Sequence, residues 1–209
     1  MLVKTCNLRV FDEAQPYAKI LRMMQEFTTN RTPDTLDEVW LLEHNPIYTY
    51  GAHTKPKIPE VNIPVTPTDR GGNITYHGPG QIIIYPLLDT KRLDYNIHDL
   101  IERLEIITLQ IMQQNNLVGN LFPGRRGVYF ENKKIASIGL KFKKYCSYHG
   151  LAINVNLDLE PFKFIKPCGY DQEVTSFKQA GSNIKMEDIK QQIIPLITKY
   201  LALKTKELV

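Results

Sequence analysis

The sequence predicts an α/β (α+β) protein built on a mixed, mainly antiparallel sheet packed with helices. Three observations lead there. Periodic patterns follow the order helix, strands, helix, strands, helix. Strand patterns do not alternate regularly with helical ones, so a doubly wound sheet is not expected. Apolar residues make up 43% of 209 positions, with no linker or repeat, so residues 1–209 read as one catalytic domain.

Tyr17, Ile20, Leu21, Met24 and Phe27 follow helical spacing, with Pro16 tolerated in the first turn. Val39 to Leu42 is a short apolar run that reads as a buried strand, and proline-rich residues 51–64 read as loop. Ile82 to Leu88 reads as another buried strand. Ile97, Leu100, Ile101, Leu104, Ile107 and Ile111 predict a long amphipathic helix capped by Asn96. Gly127 to Phe142 reads as a hairpin turning at Glu131-Asn132-Lys133, and Leu151, Ile153, Val155 and Leu157 alternate as a strand. Residues 186–203 are helical in pattern, with Pro195 expected to kink or split them.

Composition narrows the function. Twenty-six Lys and Arg against 22 Asp and Glu leave a net charge of +4, spread along the chain without the interleaved aromatic residues of an RNA-binding sheet. Nucleic acid is therefore not an expected partner. The longest apolar run, Ile82 to Leu88, is too short to cross a bilayer, and no signal peptide is visible. Three widely spaced cysteines, Cys6, Cys146 and Cys168, form no disulfide framework and fit a cytoplasmic protein with reduced thiols. No Cys-x-x-Cys pair suggests a metal.

Four segments carry candidate chemistry. Arg70-Gly-Gly-Asn-Ile-Thr-Tyr-His-Gly-Pro-Gly-Gln81 holds five Gly or Pro in twelve residues, interleaved with Arg70, Thr75, His77 and Gln81. Glycine lets backbone N–H groups approach a ligand, and the polar side chains then fix a carbonyl or phosphate. A plain turn would explain Gly-Pro-Gly but not the four polar residues before a buried strand. Neither nucleotide-binding glycine fingerprint is present. In Lys134-Ile-Ala-Ser-Ile-Gly139, small residues leave room beside a strand on which Lys134, Ala136 and Ile138 share a face; alone, Lys134 reads as a solvated edge charge. His149 before Gly150 fits either a cleft or core packing. Cys168 sits between Pro167 and Gly169, on a constrained turn outside any apolar period, unlike most inert buried cysteines. Cys146 follows Lys143-Lys144-Tyr145 and reads as part of an exposed turn.

Together these segments resemble the lipoyl(octanoyl) transferase family, the octanoyl-carrier-protein:protein octanoyltransferases. The resemblance is carried by Arg70-Gly-Gly, His77-Gly-Pro-Gly-Gln81, Lys134-Ile-Ala-Ser-Ile-Gly139, His149-Gly-Leu-Ala152 and Pro167-Cys-Gly169, in the family's order. Trp40 to Gly51 is also similar, and the likeness spans residues 35–175. It implies the fold of the biotin and lipoate protein ligase catalytic domain. It implies Cys168 as acyl-thioester nucleophile and Lys134 as the lysine that lowers its pKa and shuttles a proton. Substrate contacts would come from Arg70, Gly71, Gly72, Asn73, Ile74, Thr75, Tyr76 and His77, from Ser137, Ile138 and Gly139, and from Gly150, Leu151 and Ala152, with His149 a possible pocket residue. Wall positions for the acyl chain are Ile74, Ala136, Ile138 and Leu151, and candidate oxyanion donors are the backbone N–H groups around Gly71, Gly72, Gly78 or Gly150.

The implied reaction takes octanoyl (or lipoyl) from acyl carrier protein to a lysine of lipoyl domains, in 2-oxoacid dehydrogenases and the glycine cleavage H protein. It needs no cofactor, ATP or metal, and a monomer acting away from membranes suffices. A basic surface at Arg125, Arg126, Lys143 and Lys144 would suit an acidic carrier, or is a solvated loop face. The alternative on the same fold is an ATP-dependent lipoate or biotin protein ligase, which needs no nucleophilic cysteine.

Overall fold

A computed structural model describes residues 4–55, 57, 60–167 and 172–207. The chain runs β1 (Lys4–Val10), α1 (Tyr17–Thr29), β2 (Asp37–Leu42), β3 (Ile47–Tyr50), β4 (Val65–Pro67), β5 (Thr75–His77) and β6 (Gln81–Leu87). It continues through α2 (Thr90–Leu93), α3 (Ile97–Gln114), β7 (Gly119–Phe122), β8 (Arg125–Phe130), β9 (Lys133–Lys143) and β10 (Cys146–Asn154). A 3-10 turn (Glu160–Phe164), α4 (Met186–Tyr200) and β11 (Leu203–Glu207) complete it.

Eight strands form the main sheet in the order β11-β1-β2-β6-β10-β9-β8-β7. The β11-β1 and β1-β2 pairs are parallel and the others antiparallel, so the sheet is mixed and mainly antiparallel, as the sequence predicts. β6 is buried along its whole length because helices cover both faces. Ile82 and Ile84 join a core with Leu104, Ile107 and Ile111 of α3 and Ile193 and Ile197 of α4. Ile83 and Tyr85 face the other way, onto Ile20 and Met24 of α1. This is why the segment reads as a continuous apolar run rather than an alternating one. Asn96 caps α3 in a reciprocal capping box with Asp99, as its position predicts.

A second sheet, β4-β3-β5, packs Tyr48 and Tyr76 into a separate cluster with Phe162. Three expectations need correction. Pro195 does not split the last helix; α4 runs unbroken from Met186 to Tyr200 with the proline inside it. The periodic pattern beyond Leu201 belongs instead to β11, which pairs with β1. Cys146 is not on an exposed turn. It opens β10 and is buried, because the turn is tightened into Lys144 and Tyr145, both at positive φ. β1 and β7 carry no pattern strong enough to predict them. Among the described residues, no helix is long and apolar enough to cross a membrane.

Candidate active site

A cavity of about 350 Å³ opens beside β9 and β10. Its walls come from the glycine-rich segment (Arg70 to Thr75 and His77), from β9 (Lys134 and Ser137 to Leu140) and from β10 (His149 to Ala152). Thus three segments distant in sequence converge on one cavity. Tyr76 is the exception. On β5 successive side chains alternate, so Thr75 and His77 face the cavity while Tyr76 packs against Tyr48 and Phe162.

Close backbone approach explains two of the glycines. A Cβ on Gly139 would lie 3.0 Å from the Gly71 carbonyl oxygen and 3.3 Å from Arg70 Cδ. A Cβ on Gly150 would collide with the Ile84 carbonyl oxygen and Pro86. Arg70 is itself buried. Its Nη2 donates to the Thr49 carbonyl oxygen (2.7 Å) and to Thr49 Oγ1 (2.9 Å), and its Nη1 donates to the Gly71 carbonyl oxygen (2.9 Å). A guanidinium stays charged even where burial lowers its pKa, so Arg70 places a fixed positive charge under the glycine-rich loop.

Lys134 is buried, at 7% exposure, which excludes the solvated edge charge. Its Nζ lies 5.4 Å from the centre of the Tyr129 ring, and its Cε packs beside Gly127. The Gly127 N–H is held by Glu105 Oε1 (3.0 Å). The backbone of Lys134 is bracketed as well: its N–H donates to the Glu173 carbonyl (2.8 Å), and its carbonyl accepts from Thr175 N–H (2.9 Å). Cys168 lies outside the described residues. Pro167, immediately before it, lines the cavity, and Glu173 to Thr175, shortly after it, are stitched to Lys134.

The far part of the cavity is a nest of buried polar rings. His149 Nε2 lies 2.8 Å from Asp69 Oδ1, and the other Asp69 oxygen accepts from the Tyr148 hydroxyl. Burial alone would raise the Asp69 pKa. The hydrogen bonds from His149 and Tyr148 prevail and hold it well below the usual carboxylate range. Burial pushes the His149 pKa down, against the pull of Asp69. A neutral imidazole beside a carboxylate must keep its proton on Nε2, so His149 Nδ1 presents a lone pair.

His77 is fixed by a longer chain. Asn154 Nδ2 donates to the Thr175 carbonyl (2.9 Å), which turns Asn154 Oδ1 to accept from Gln81 Nε2 (2.9 Å). Gln81 Oε1 then accepts from His77 Nδ1 (2.7 Å), so the free lone pair of His77 is on Nε2. Burial drives the His77 pKa well below its ordinary value. Tyr17 stacks on His77 at 5.8 Å, and burial raises its hydroxyl to about 12 despite the nearby Arg70. That hydroxyl approaches Thr68 and Arg70 but makes a hydrogen bond of proper geometry with neither.

Several expected roles change in detail. Ala136 is not a wall residue; it sits in the main core. The register of β9 against β8 shifts between Val128 and Tyr129, inserting Ile135 and breaking the alternation that would put Lys134 and Ala136 on one face. The Gly71 N–H is not an oxyanion donor, because it donates to the Leu140 carbonyl (3.0 Å), and Gly78 does not line the cavity. The basic surface divides. Arg125 and Arg126 line the cavity, whereas Lys143 donates to Thr29 Oγ1 (3.1 Å) and Lys144 is exposed in a turn. Tyr17, Asp69, Tyr85, Ile97 and Ile101 were not singled out by the sequence. Asp69, directly before Arg70, had the clearest signal; the others are hidden in ordinary apolar periodicity. Among the described residues, no group of three His, Cys, Asp or Glu side chains is placed to hold a metal ion.

Residues 16–197 match the family model described as the lipoyl protein ligase A/B catalytic domain. The chain is 42% identical over 181 residues to the octanoyltransferase of Legionella pneumophila (strain Paris), covering 85% of this chain and 91% of that protein. It is 43% identical over 183 residues to the octanoyltransferase of Vibrio campbellii, covering 86% and 83%. Among solved structures, a lipoate-protein ligase A bound with ATP superposes with a TM-score of 0.78 at 12% identity, over 98% of this chain and 90% of that one. The biotin protein ligase of Aquifex aeolicus with biotin and ATP superposes with a TM-score of 0.61 at 15% identity, over 93% and 70%. These distant structures establish the fold alone. The chain belongs to the lipoyl protein ligase A/B catalytic-domain family.

Proposed function

We propose that this protein is an octanoyltransferase that carries the acyl group as a thioester on Cys168. The donor is the phosphopantetheine thioester of acyl carrier protein. The acceptor is a lysine of a lipoyl domain, in a 2-oxoacid dehydrogenase or the glycine cleavage H protein, in the cytoplasm. The observation that carries this reading is the buried Lys134 side chain sharing one cavity with Pro167, the covalent neighbour of Cys168.

The chemistry needs such a pair. A thiol of ordinary pKa, about 8.5, is only a few per cent thiolate at neutral pH, and a nearby ammonium stabilises the thiolate. The Cys168 thiolate attacks the carrier thioester, and the carrier thiolate leaves with a proton from Lys134. The neutral target amine then attacks the acyl-enzyme. Its proton returns to Lys134, and the amide is released as the thiolate re-forms. Exchange between thioesters is nearly balanced and amide formation runs downhill, so ATP is not required.

Ile74, Ile138 and Leu151 supply apolar wall for the chain. Burying six methylenes at about 0.8 kcal/mol each contributes roughly 5 kcal/mol. The test against the ligase alternative is direct. Octanoyl carrier protein alone should modify a lipoyl domain; modification only with octanoic acid plus ATP would refute the proposal.

A further inference from the structure

The cavity is strongly cationic for a site that receives a neutral acyl chain. Arg70, Arg125, Arg126 and Lys134 line it, and among the described residues no carboxylate does. Arg70 is buried, with its Nη atoms directed to the Thr49 and Gly71 carbonyl oxygens. Lys134 is buried beside Gly127. Arg125 and Arg126 differ. Both are exposed, on the strand that leaves the Pro123-Gly124 turn between β7 and β8, so they stand where the cavity meets solvent.

A series of ring contacts ties Arg125 to Lys134. Arg125 Cζ lies 5.9 Å from the centre of the Phe122 ring, Phe122 meets the Tyr129 ring edge-on at 5.0 Å, and Lys134 Nζ lies 5.4 Å from the Tyr129 centre. Taken end to end, these contacts keep the guanidinium carbon within about 16 Å of Lys134 Nζ. In the transfer reading above, the sulfur of the carrier arm leaves with a proton from Lys134. An extended chain gains about 3.5 Å for every three bonds, so the roughly thirteen bonds from that sulfur to the phosphorus of the arm span about 15 Å. A hydrogen bond of about 3 Å at each end brings the phosphate oxygens within reach of Arg125 wherever inside that bound the guanidinium sits.

Resting on the octanoyl-transfer reading, we propose that Arg125, with Arg126 beside it, binds the phosphodiester of the donor's phosphopantetheine arm and so favours thioesters carried on a phosphorylated arm. A guanidinium matches phosphate oxygens with paired N–H donors, and the acyl chain and the target amine bring no anion of their own. Glu105, which holds the Gly127 N–H, offsets part of the Arg126 charge, so Arg126 takes the lesser share. The contact makes and breaks no covalent bond, and the thioester and amide steps are unchanged.

The experiment follows acylation of the full chain by intact mass, without acceptor. Its donors are octanoyl carrier protein, the methyl diester of S-octanoyl phosphopantetheine, and S-octanoyl pantetheine. With the unaltered protein, the phosphorylated small donor should react about tenfold faster than the unphosphorylated one, and added salt should shrink that ratio. In Arg125→Gln the ratio should fall to about threefold or less, and further in the double variant with Arg126→Gln. Equal rates for the two small donors, an unchanged ratio in Arg125→Gln, or acylation by carrier protein alone would overturn the inference while leaving octanoyl transfer intact. Slowing of the carrier protein with no change in the ratio would place the arginines against the carrier's own surface, and would overturn it as well. Failure of octanoyl carrier protein to acylate the unaltered chain would instead overturn the activity and this inference with it.

Discussion

Replacing Asp69 with alanine removes the acceptor of three donors: His149 Nε2 at 2.8 Å, Gln25 Nε2 at 3.2 Å and the Tyr148 hydroxyl. His149 is fully enclosed, so its N–H would be left unpaired at a cost of about 1–3 kcal/mol. The Asp69 side chain is 31% exposed, so water can reach part of the vacated space, which limits the total to about 2 kcal/mol. For a chain of this size that is a Tm loss of about 4–8 °C near neutral pH. The sign with pH follows from the depressed carboxylate. Its folded-state pKa lies below the unfolded value, so its stabilisation is present above about pH 4 and is lost as pH falls further. Thermal unfolding from about pH 5 down to about pH 3 should therefore show the gap between the two proteins narrowing. A gap that is absent near neutrality, or that stays constant as pH falls, would refute the reasoning.

Other perturbations give separate checks. Lys134→Ala should move the alkylation profile of Cys168 upward by about one to two pH units; an unchanged profile would remove Lys134 from its role. Gly150→Ala forces a Cβ into the Ile84 carbonyl and should destabilise by about 3 kcal/mol, read from denaturant midpoints. Burial lowers the pKa values of His44 (to about 4), His77 and His149, so each binds protons more readily when unfolded. Stability should then fall as pH drops through about 6.5, by up to about 1.4 kcal/mol per pH unit for each histidine. A flat Tm between about pH 7 and pH 5 would contradict that assignment.

The long elements were legible because one dominant physical pattern produced each. The α3 stripe and its Asn96 cap, and the doubly covered β6, are examples. β1 and β11 were not legible, since β11 gains its place only by pairing with β1 across almost the whole chain, and β1 by lying between β11 and β2. The site was legible where glycine, a charged residue or a histidine interrupts an apolar stretch, as at Arg70 to His77 and His149-Gly150. It was not legible where a side chain's role depends on a break in alternation. Lys134 and Ala136 part company because Ile135 bulges, which local spacing cannot reveal. Tyr17 is a regular member of an amphipathic helix, and only the convergence of α1 with the glycine-rich loop gives its hydroxyl a site.

Intact mass spectrometry after mixing the protein with octanoyl carrier protein, without acceptor, tests the central claim most directly. The account predicts a gain of one octanoyl group, sensitive to hydroxylamine, mapping to Cys168 and missing in Cys168→Ser. An adduct that persists in Cys168→Ser at Cys6 or Cys146, or octanoyl transfer to a lipoyl domain without Cys168, would contradict it.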